Sequence, residues 1–267
     1  MQERKVKVVR SLERGLDVLI EVHARRAVSL HELYQALGLP KATLLRMLTT
    51  LGRKGLIWQR LADGAYLPHM GRLVGSEVAT TERIAEVASP HLKALSRKIA
   101  WPSVLAVPRL DHVEILETNS PLFRLDNATL GPVGVKLSYI HTATGRAYLA
   151  ACPRAERDAI IARLRPADAS EGSEKELRAL LDEFARKGYA TREPLHTWPD
   201  QSRMLVLRDG RRSIGVPILS GDVPVAAINI TWPAKRLADD DVIARNLKEL
   251  QASARAIGQD LTSGFTT

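Results

Sequence analysis

The stretch VSLHELYQALGLPKATLLRMLTTLGRK, Val28 to Lys54, reads as two short helices joined by a tight turn. Ser29 followed by Glu32 is an S-x-x-E capping-box pattern that starts the first helix. Leu30, Leu33, Tyr34 and Leu37 then fall on one helical face. Gly38 stops that helix, because glycine alone takes a left-handed backbone without steric cost. Pro40 has no N–H to lose at a helix start and so opens the second helix. In that helix Leu44, Met47, Leu48 and Leu51 repeat at helical spacing and are expected inside. Lys41, Ala42, Thr43, Leu45, Arg46, Thr49, Thr50 and Arg53 are left facing out.

The outer face is short, basic and hydroxyl-bearing. A helix entering a DNA major groove needs small residues for close approach, Arg for guanine edges or phosphate, and Thr for phosphate oxygens or thymine methyls. An ordinary αα-hairpin with a solvated basic face fits the helix pattern equally well. The next segment of the chain separates the two. Gly55 leads into LIWQRLADGAYL, two β-prone runs around Asp63-Gly64, which is a two-residue hairpin signal. Two helices, a glycine turn and a hairpin directly after the second helix make a winged helix-turn-helix.

Composition bounds the rest. The chain has 267 residues, enough for two domains of ordinary size, and 45% of them are hydrophobic. No apolar run approaches the roughly 20 residues of a membrane span. The N-terminus MQERKVKVVR is charged and has no signal-peptide pattern. Cys152 is the single cysteine, which excludes an internal disulfide and fits a reducing cytoplasm. It ends an apolar helix pattern and reads as a buried, inert thiol. Charge is uneven. Residues 1–75 hold 13 Lys and Arg against 6 Asp and Glu, a net of +7 out of the chain's +9. A basic head on a near-neutral body is the electrostatic footprint of a nucleic-acid-binding domain joined to a second domain.

Taken in order, residues 1–10, with Arg4, Lys5, Lys7 and Arg10, read as a basic arm that reaches a minor groove or phosphates or, the commoner case, as a solvated tail. Ser11 starts a helix through about His23, with Leu12, Leu16, Leu19 and Ile20 expected inward. Leu73 to Ile99 is mainly helical, with Pro90 as a break or kink. Its apolar positions Ile84, Val87, Leu92 and Leu95 could pair with the same helix of a second chain. Ser103–Pro108 and Val113–Thr118 read as strands about Asp111-His112, and Ser213–Leu219 and Val223–Thr231 as strands about Gly221-Asp222. Residues 119–138 are loop-rich, and Arg192 to Asp209 is irregular. Helices are expected over His141–Ala151, Arg154–Leu164, Ser173–Lys187 and Asp239–Leu261. Strand pairs with flanking helices define an antiparallel-sheet domain of the α+β kind. The organisation is a DNA-binding domain at 1–75, a linker helix at 76–100 and an effector domain at 101–267.

With these segments in place, the sequence resembles the IclR family of bacterial transcription regulators over nearly its whole length. The N-terminal markers are SLERGLDVL, LGLPKATLLRMLTTL and GAYLPHMGRLVG; the C-terminal ones are HTATGRAYLA and SIGVPILSGDVPVAAINI. AWPS (Ala100–Ser103) and GRAYLAACP are similar, more narrowly, to the MhpR-type activators of hydroxyphenylpropionate breakdown. The resemblance implies a winged helix-turn-helix, a linker helix, a GAF-like sensing domain, assembly as a homodimer or dimer of dimers, and a small organic acid as effector. It carries the ligand pocket onto Ala143, Thr144 and Gly145, onto Ser213, and onto Asn229 and Thr231. The first group suits a carboxylate, since a helix start offers unpaired N–H groups and partial positive charge. Asn229 and Thr231, two apart on a strand, share a face. The alternative is that Thr144 only packs and that Asn229 and Thr231 only bond neighbouring backbone. The segment Arg192–Arg212 departs from the family, where an acidic residue near its start helps hold the ligand; Arg192 or Arg203 would pair with a carboxylate instead. His196 and Trp198 read as surface loop residues or as pocket wall.

The leading reading is therefore a ligand-responsive regulator that binds palindromic duplex DNA. Lys41, Ala42, Thr43, Leu45, Arg46 and Thr49 face the major groove, and Arg53 and the wing residue Arg60 face phosphate. Two other classes fit less well. An enzyme in the C-terminal half finds no G-x-S-x-G, H-E-x-x-H, Walker loop or G-x-G-x-x-G. His91, His112, His141 and His196 have no metal-ligand spacing; His141 reads as a helix cap or pocket-wall residue. No catalytic residue, metal or cofactor is expected. A nucleoid-type binder without ligand conflicts with the near-neutral larger domain.

Overall fold

Ser29 and Glu32 do start a helix, and they do it reciprocally. The Ser29 Oγ accepts from the Glu32 N–H at 3.2 Å, while the Glu32 carboxylate accepts from the Ser29 N–H at 2.7 Å. The Ser29 hydroxyl also donates to the Glu32 carboxylate at 2.7 Å, and this bond first, then the one from the Ser29 N–H, holds the Glu32 carboxyl below its ordinary range. The computed structural model describes residues 9–69, 81–123, 131–192, 196–198, 210–235 and 238–263. The basic arm at 1–8, the expected helix start at Leu73 and the side chain of Arg203 lie outside them. The chain divides into two units, residues 1–76 and 77–267.

The first unit contains α1 (Arg10–Arg25), α2 (Leu30–Leu37), α3 (Lys41–Arg53), β1 (Ile57–Gln59) and β2 (Tyr66–Pro68). Gly38 caps α2 in the left-handed region at φ +63°, and Pro40 is the N-cap of α3. β1 and β2 pair antiparallel, and Val28 bridges to Tyr66 from the other side. Val18, Val22, Val28, Leu33, Leu44, Leu48, Ile57 and Tyr66 form the core.

Three details differ from the sequence reading. On α1 the buried pair is Val18 and Val22, while Leu12, Leu16 and Ile20 are 60%, 47% and 65% exposed. Only Leu19 of the expected set packs against the core. The helix carries two apolar stripes, and the contacts with α3 and β2 select the shorter, β-branched one. Tyr34 stands at the rim, exposed, with the Lys41 ammonium 5.6 Å from its ring centre. The wing is not a two-residue hairpin. Arg60 and Ala65 close it by a 2.8 Å backbone bond, leaving four residues in the loop. A type I′ turn needs positive φ at both central residues, and here Gly64 (φ +70°) has it and Asp63 does not.

The second unit is a six-stranded antiparallel sheet with helices on its faces. Its elements are α4 (Thr81–Leu95), β3 (Val104–Pro108), β4 (Val113–Thr118), β5 (Lys136–Leu137), α5 (Ala143–Ala151), α6 (Arg154–Leu164), α7 (Glu171–Lys187), β6 (Ala190–Thr191), β7 (Arg211–Ser220), β8 (Val223–Pro233) and α8 (Asp239–Ser263). The strand order is β5-β4-β3-β8-β7-β6. The β7–β8 turn is Gly221-Asp222, as the sequence implies, with Ser220 opposite Val223. The β3–β4 turn falls one residue earlier than expected, at Leu110-Asp111, because Arg109 bonds to His112.

Pro90 lies inside α4 without ending it. Of the apolar positions expected on α4, Ile84, Leu92 and Leu95 are buried in their own protomer and Val87 is half-buried. α4 runs against α8 and β4; His91–Asp260 (2.8 Å) bridges the two helices, and Lys98, just past the end of α4, pairs with Glu249 of α8 (2.8 Å). Trp198 is no surface residue. It is 4% exposed, part of the core formed by α5, α6 and α7, and its indole N–H donates to Ser173 Oγ at 2.9 Å. An aromatic flanked by proline and polar residues gives no periodic signal, so its burial could not be read locally.

Candidate DNA-binding surface and effector site

Helix α3 separates its faces cleanly. Leu44 and Leu48 are buried, Met47 and Leu51 half-buried, and Lys41, Ala42, Leu45, Arg46, Thr49 and Arg53 exposed, with Thr43 half-buried. Leu45 is 43% exposed, an apolar side chain with no place in the core. Thr49 and Thr50 donate their hydroxyls to the carbonyls of Leu45 and Arg46, at 2.7 and 2.8 Å. Thr49 therefore presents a methyl group and an accepting oxygen outward rather than a free O–H. Arg60 is engaged within the wing. Its Nε and Nη2 grip both oxygens of Asp63, at 3.0 and 2.5 Å, and Asp63 also accepts from the Ala65 N–H. A phosphate would have to compete with that fork. Lys41, Arg46 and Arg53 are the exposed cations of the recognition face.

In the second unit the structure brings the six sequence-chosen residues to one side of the sheet. Antiparallel register sets Ser213 opposite Thr231 and Gly215 opposite Asn229. All are on the face that carries α5, because the Ala143 carbonyl lies where a Cβ at Gly215 would be, 2.5 Å away. Gly145 is pressed equally closely, against the backbone of Ser138 and Tyr139. Glycine at 215 thus lets the first turn of α5 settle onto the sheet, two residues along β7 from Ser213, and glycine at 145 lets the helix fold back on the segment before it. Thr142, not His141, caps α5: its Oγ1 accepts from the Gly145 N–H at 3.1 Å. His141 is buried, with Nδ1 2.9 Å from Ser138 Oγ and Nε2 3.3 Å from the His196 carbonyl.

The polar side chains on this face are buried yet hydrogen-bonded. Ser213 and Thr231 share a 2.8 Å bond between hydroxyls. Asn229 accepts from the Val104 N–H at 2.9 Å and points its amide N at Thr231 Oγ1, 3.4 Å away. Asn229 is thereby fastened to β3 and orients Thr231. Thr144 is fully buried, 3.3 Å from Thr142 through the hydroxyls. Arg146, also fully buried, donates from Nε to the Ile140 carbonyl (2.8 Å) and from Nη1 to the Thr191 carbonyl (2.9 Å), tying α5 to β6. The sequence reading does not single out Arg146; an arginine inside a small-residue helix is the signal it offers.

Other chemistry is quiet. Burial pushes the Cys152 thiol up to about 12, with Glu156 adding to the shift, which leaves it protonated and unreactive near neutrality. Among the described residues no group of His, Cys, Asp and Glu could hold a metal ion, and no helix is long and apolar enough to cross a membrane. A groove of about 570 Å³ lies between β7 and α8, lined by Val216, Leu219, Gln251, Arg255 and Thr262 among others, away from Ser213 and Thr231.

A winged helix-turn-helix joined to an antiparallel sheet with a helix start pressed on one face is the plan of a two-domain transcription regulator. Comparison with known proteins agrees. Residues 11–60 match the IclR helix-turn-helix domain, and residues 76–259 match the bacterial transcriptional regulator IclR C-terminal domain. The chain belongs to the IclR family of transcription regulators. The acetate operon repressor of Salmonella typhimurium is 27% identical over 251 residues, covering 88% of this chain and 84% of its own. Among solved structures, a Rhodococcus sp. RHA1 protein superposes with TM-score 0.57 at 27% identity, over 96% of this chain and 100% of that one. An IclR homolog from Microbacterium hydrocarbonoxydans, solved with 4-hydroxybenzoate, superposes with TM-score 0.52 at 22% identity, over 95% of this chain and 99% of that one.

The fit of α5 on the sheet makes a sharp prediction. Gly215→Ala forces a methyl into the Ala143 carbonyl, where two hydrogen-bonded neighbours of β7 prevent retreat. It should destabilise the second unit by about 1–3 kcal/mol. Thermal unfolding followed by calorimetry reads this directly, and an unchanged melting transition would contradict the close contact.

Proposed function

We propose that this regulator grips palindromic operator DNA as a homodimer, alone or as a dimer of dimers, and that a small organic acid of aromatic type tunes that grip. On this reading residues 1–75 bind DNA, 76–100 connect, and 101–267 bind effector. The observation that carries the DNA reading is the division of α3: Leu44 and Leu48 fill the core while Lys41, Leu45, Arg46, Thr49 and Arg53 stand exposed. Arg46 reads a base edge, Leu45 and the Thr49 methyl meet thymine methyls, and Ala42 and Thr43 allow close approach. Lys41 and Arg53 meet phosphate, and Arg60 joins them where its Asp63 fork yields.

The effector reading is supported by the helix start at Ala143, Thr144 and Gly145 lying beside the Ser213, Asn229 and Thr231 side chains. Helix N–H groups and hydroxyls both complement an acid. The 4-hydroxybenzoate complex of the Microbacterium homolog supports an aromatic acid as the class.

The dimer reading is supported by α1. Val9, Leu12, Leu16 and Ile20 make an exposed apolar stripe, 47–65% accessible, along a helix whose other side is already packed. A second copy of the same helix, antiparallel about Leu16, would cover Leu12 with Ile20, and a closed twofold pair matches a palindromic site.

Three outcomes are expected. Arg46→Ala should weaken operator binding by about 1–3 kcal/mol while changing random-DNA affinity far less; equal losses on both, measured by fluorescence anisotropy at fixed salt, would remove base reading from Arg46. Titrating 4-hydroxybenzoate and related acids into the protein–operator complex should shift operator affinity by roughly 5- to 150-fold for the cognate class; a flat response across the whole panel would sink the effector role. Leu16→Glu should leave the fold intact but lower sedimentation mass and operator affinity together; unchanged values for both would exclude the α1 stripe as an interface.

A further inference from the structure

We propose that Arg192 supplies the fixed positive charge that makes this effector site select anions over neutral molecules. The inference rests on the effector-binding reading above and deepens it. Arg192 follows β6 directly, and its N–H donates to the Ser213 carbonyl at 3.2 Å. In β6, Ala190 pairs with Gly215 and Thr191 with Ile214. Side chains alternate along a strand, so Arg192 shares the face of Ala190, Gly215 and Ser213. Ser213 is itself opposite Thr231. Arg192, Ser213 and Thr231 therefore stand in one row across three neighbouring strands, at the roughly 4.8 Å spacing of a sheet.

The row is charge, hydroxyl, hydroxyl. It spans roughly 10 Å, about the length of a small aromatic acid carrying a second polar group. Arg192 is 3% exposed, so its charge acts through low-dielectric surroundings rather than water. Its backbone is fixed by the Ser213 bond, and its Nη1 donates to the Arg211 carbonyl at 3.3 Å. The buried Arg146 guanidinium is bonded to the preceding residue, Thr191, and adds to the same positive field. The start of α5, seated on Gly215, adds the partial positive charge of a helix N-terminus. A carboxylate meets three contributions of one sign, and its neutral amide loses the benefit of all three. The guanidinium fork suits the planar carboxylate, while the Ser213–Thr231 pair orients the far polar group.

The test uses the full-length protein and two matched probes, 4-hydroxybenzoate and its neutral amide 4-hydroxybenzamide, titrated by calorimetry. The wild type should bind the acid about 10- to 100-fold more tightly than the amide, the range of a charge-assisted bond. Arg192→Gln should cut that preference to a few-fold at most, and Arg192→Lys should keep most of it. An Arg192→Gln protein that keeps the full wild-type preference overturns the role of Arg192 and leaves the effector site standing. Equal wild-type affinity for the two probes also overturns it, without recourse to a variant. Binding of neither probe by the wild type overturns the aromatic-acid reading, and the inference falls with it.

Discussion

The effector unit depends on how closely a helix can approach a sheet. The carbonyl of Ala143 occupies the space that any side chain at Gly215 would need, and the backbone of Ser138 and Tyr139 does the same at Gly145. On the opposite side of the sheet, Gly258 of α8 meets the Leu219 carbonyl in the same way. Gly215 and Gly258 thus seat a helix on each face of β7, while Gly145 packs α5 against the segment that precedes it. With α5 seated, its first turn lies beside Ser213 and Thr231, and Arg146 can reach through to the Thr191 carbonyl. The polar row on the sheet is a consequence of that seating and of antiparallel register together.

The DNA-binding unit is built on a different constraint, the need to start and stop two helices within a few residues. The capping box at Ser29 and Glu32 satisfies the first N–H groups of α2, and Gly38 accepts the left-handed turn that ends it. Pro40 then begins α3 at a fixed angle. Once α2 and α3 are held this way, Leu33, Leu44 and Leu48 meet in the core, and the basic side of α3 has nowhere to go but outward. On α3 the cations Lys41, Arg46 and Arg53 are therefore displayed, whereas Arg60 pairs with Asp63 and Arg25 with Glu21.

Much of the architecture was legible in the residues because it is local. Caps, glycine stops and the 3.6-residue repeat act within a turn or two of helix. The Gly221-Asp222 hairpin needed no more than its own strands. The faces of α3 followed from one unambiguous apolar stripe. On α1, by contrast, Leu12, Leu16 and Ile20 made a longer stripe than Val18 and Val22, and periodicity favoured the longer one. The packing of α3 and β2 chose the other. The wing failed for a related reason: Asp-Gly is compatible with a two-residue turn, but the Arg60–Asp63 fork holds a four-residue loop instead. Trp198 and Arg146 owe their burial to α7 and β6, far away in sequence.

Short-range backbone preferences, and patterns repeated every few residues, were enough to define the elements, their order, the outward face of the recognition helix and the family. They could not say which residues keep company across the sheet; that was left to folding. Arg192, Ser213 and Thr231 are separated by up to 39 positions, and no local preference relates them. Strand register aligned them, and the absence of a side chain at Gly215 brought the helix start alongside.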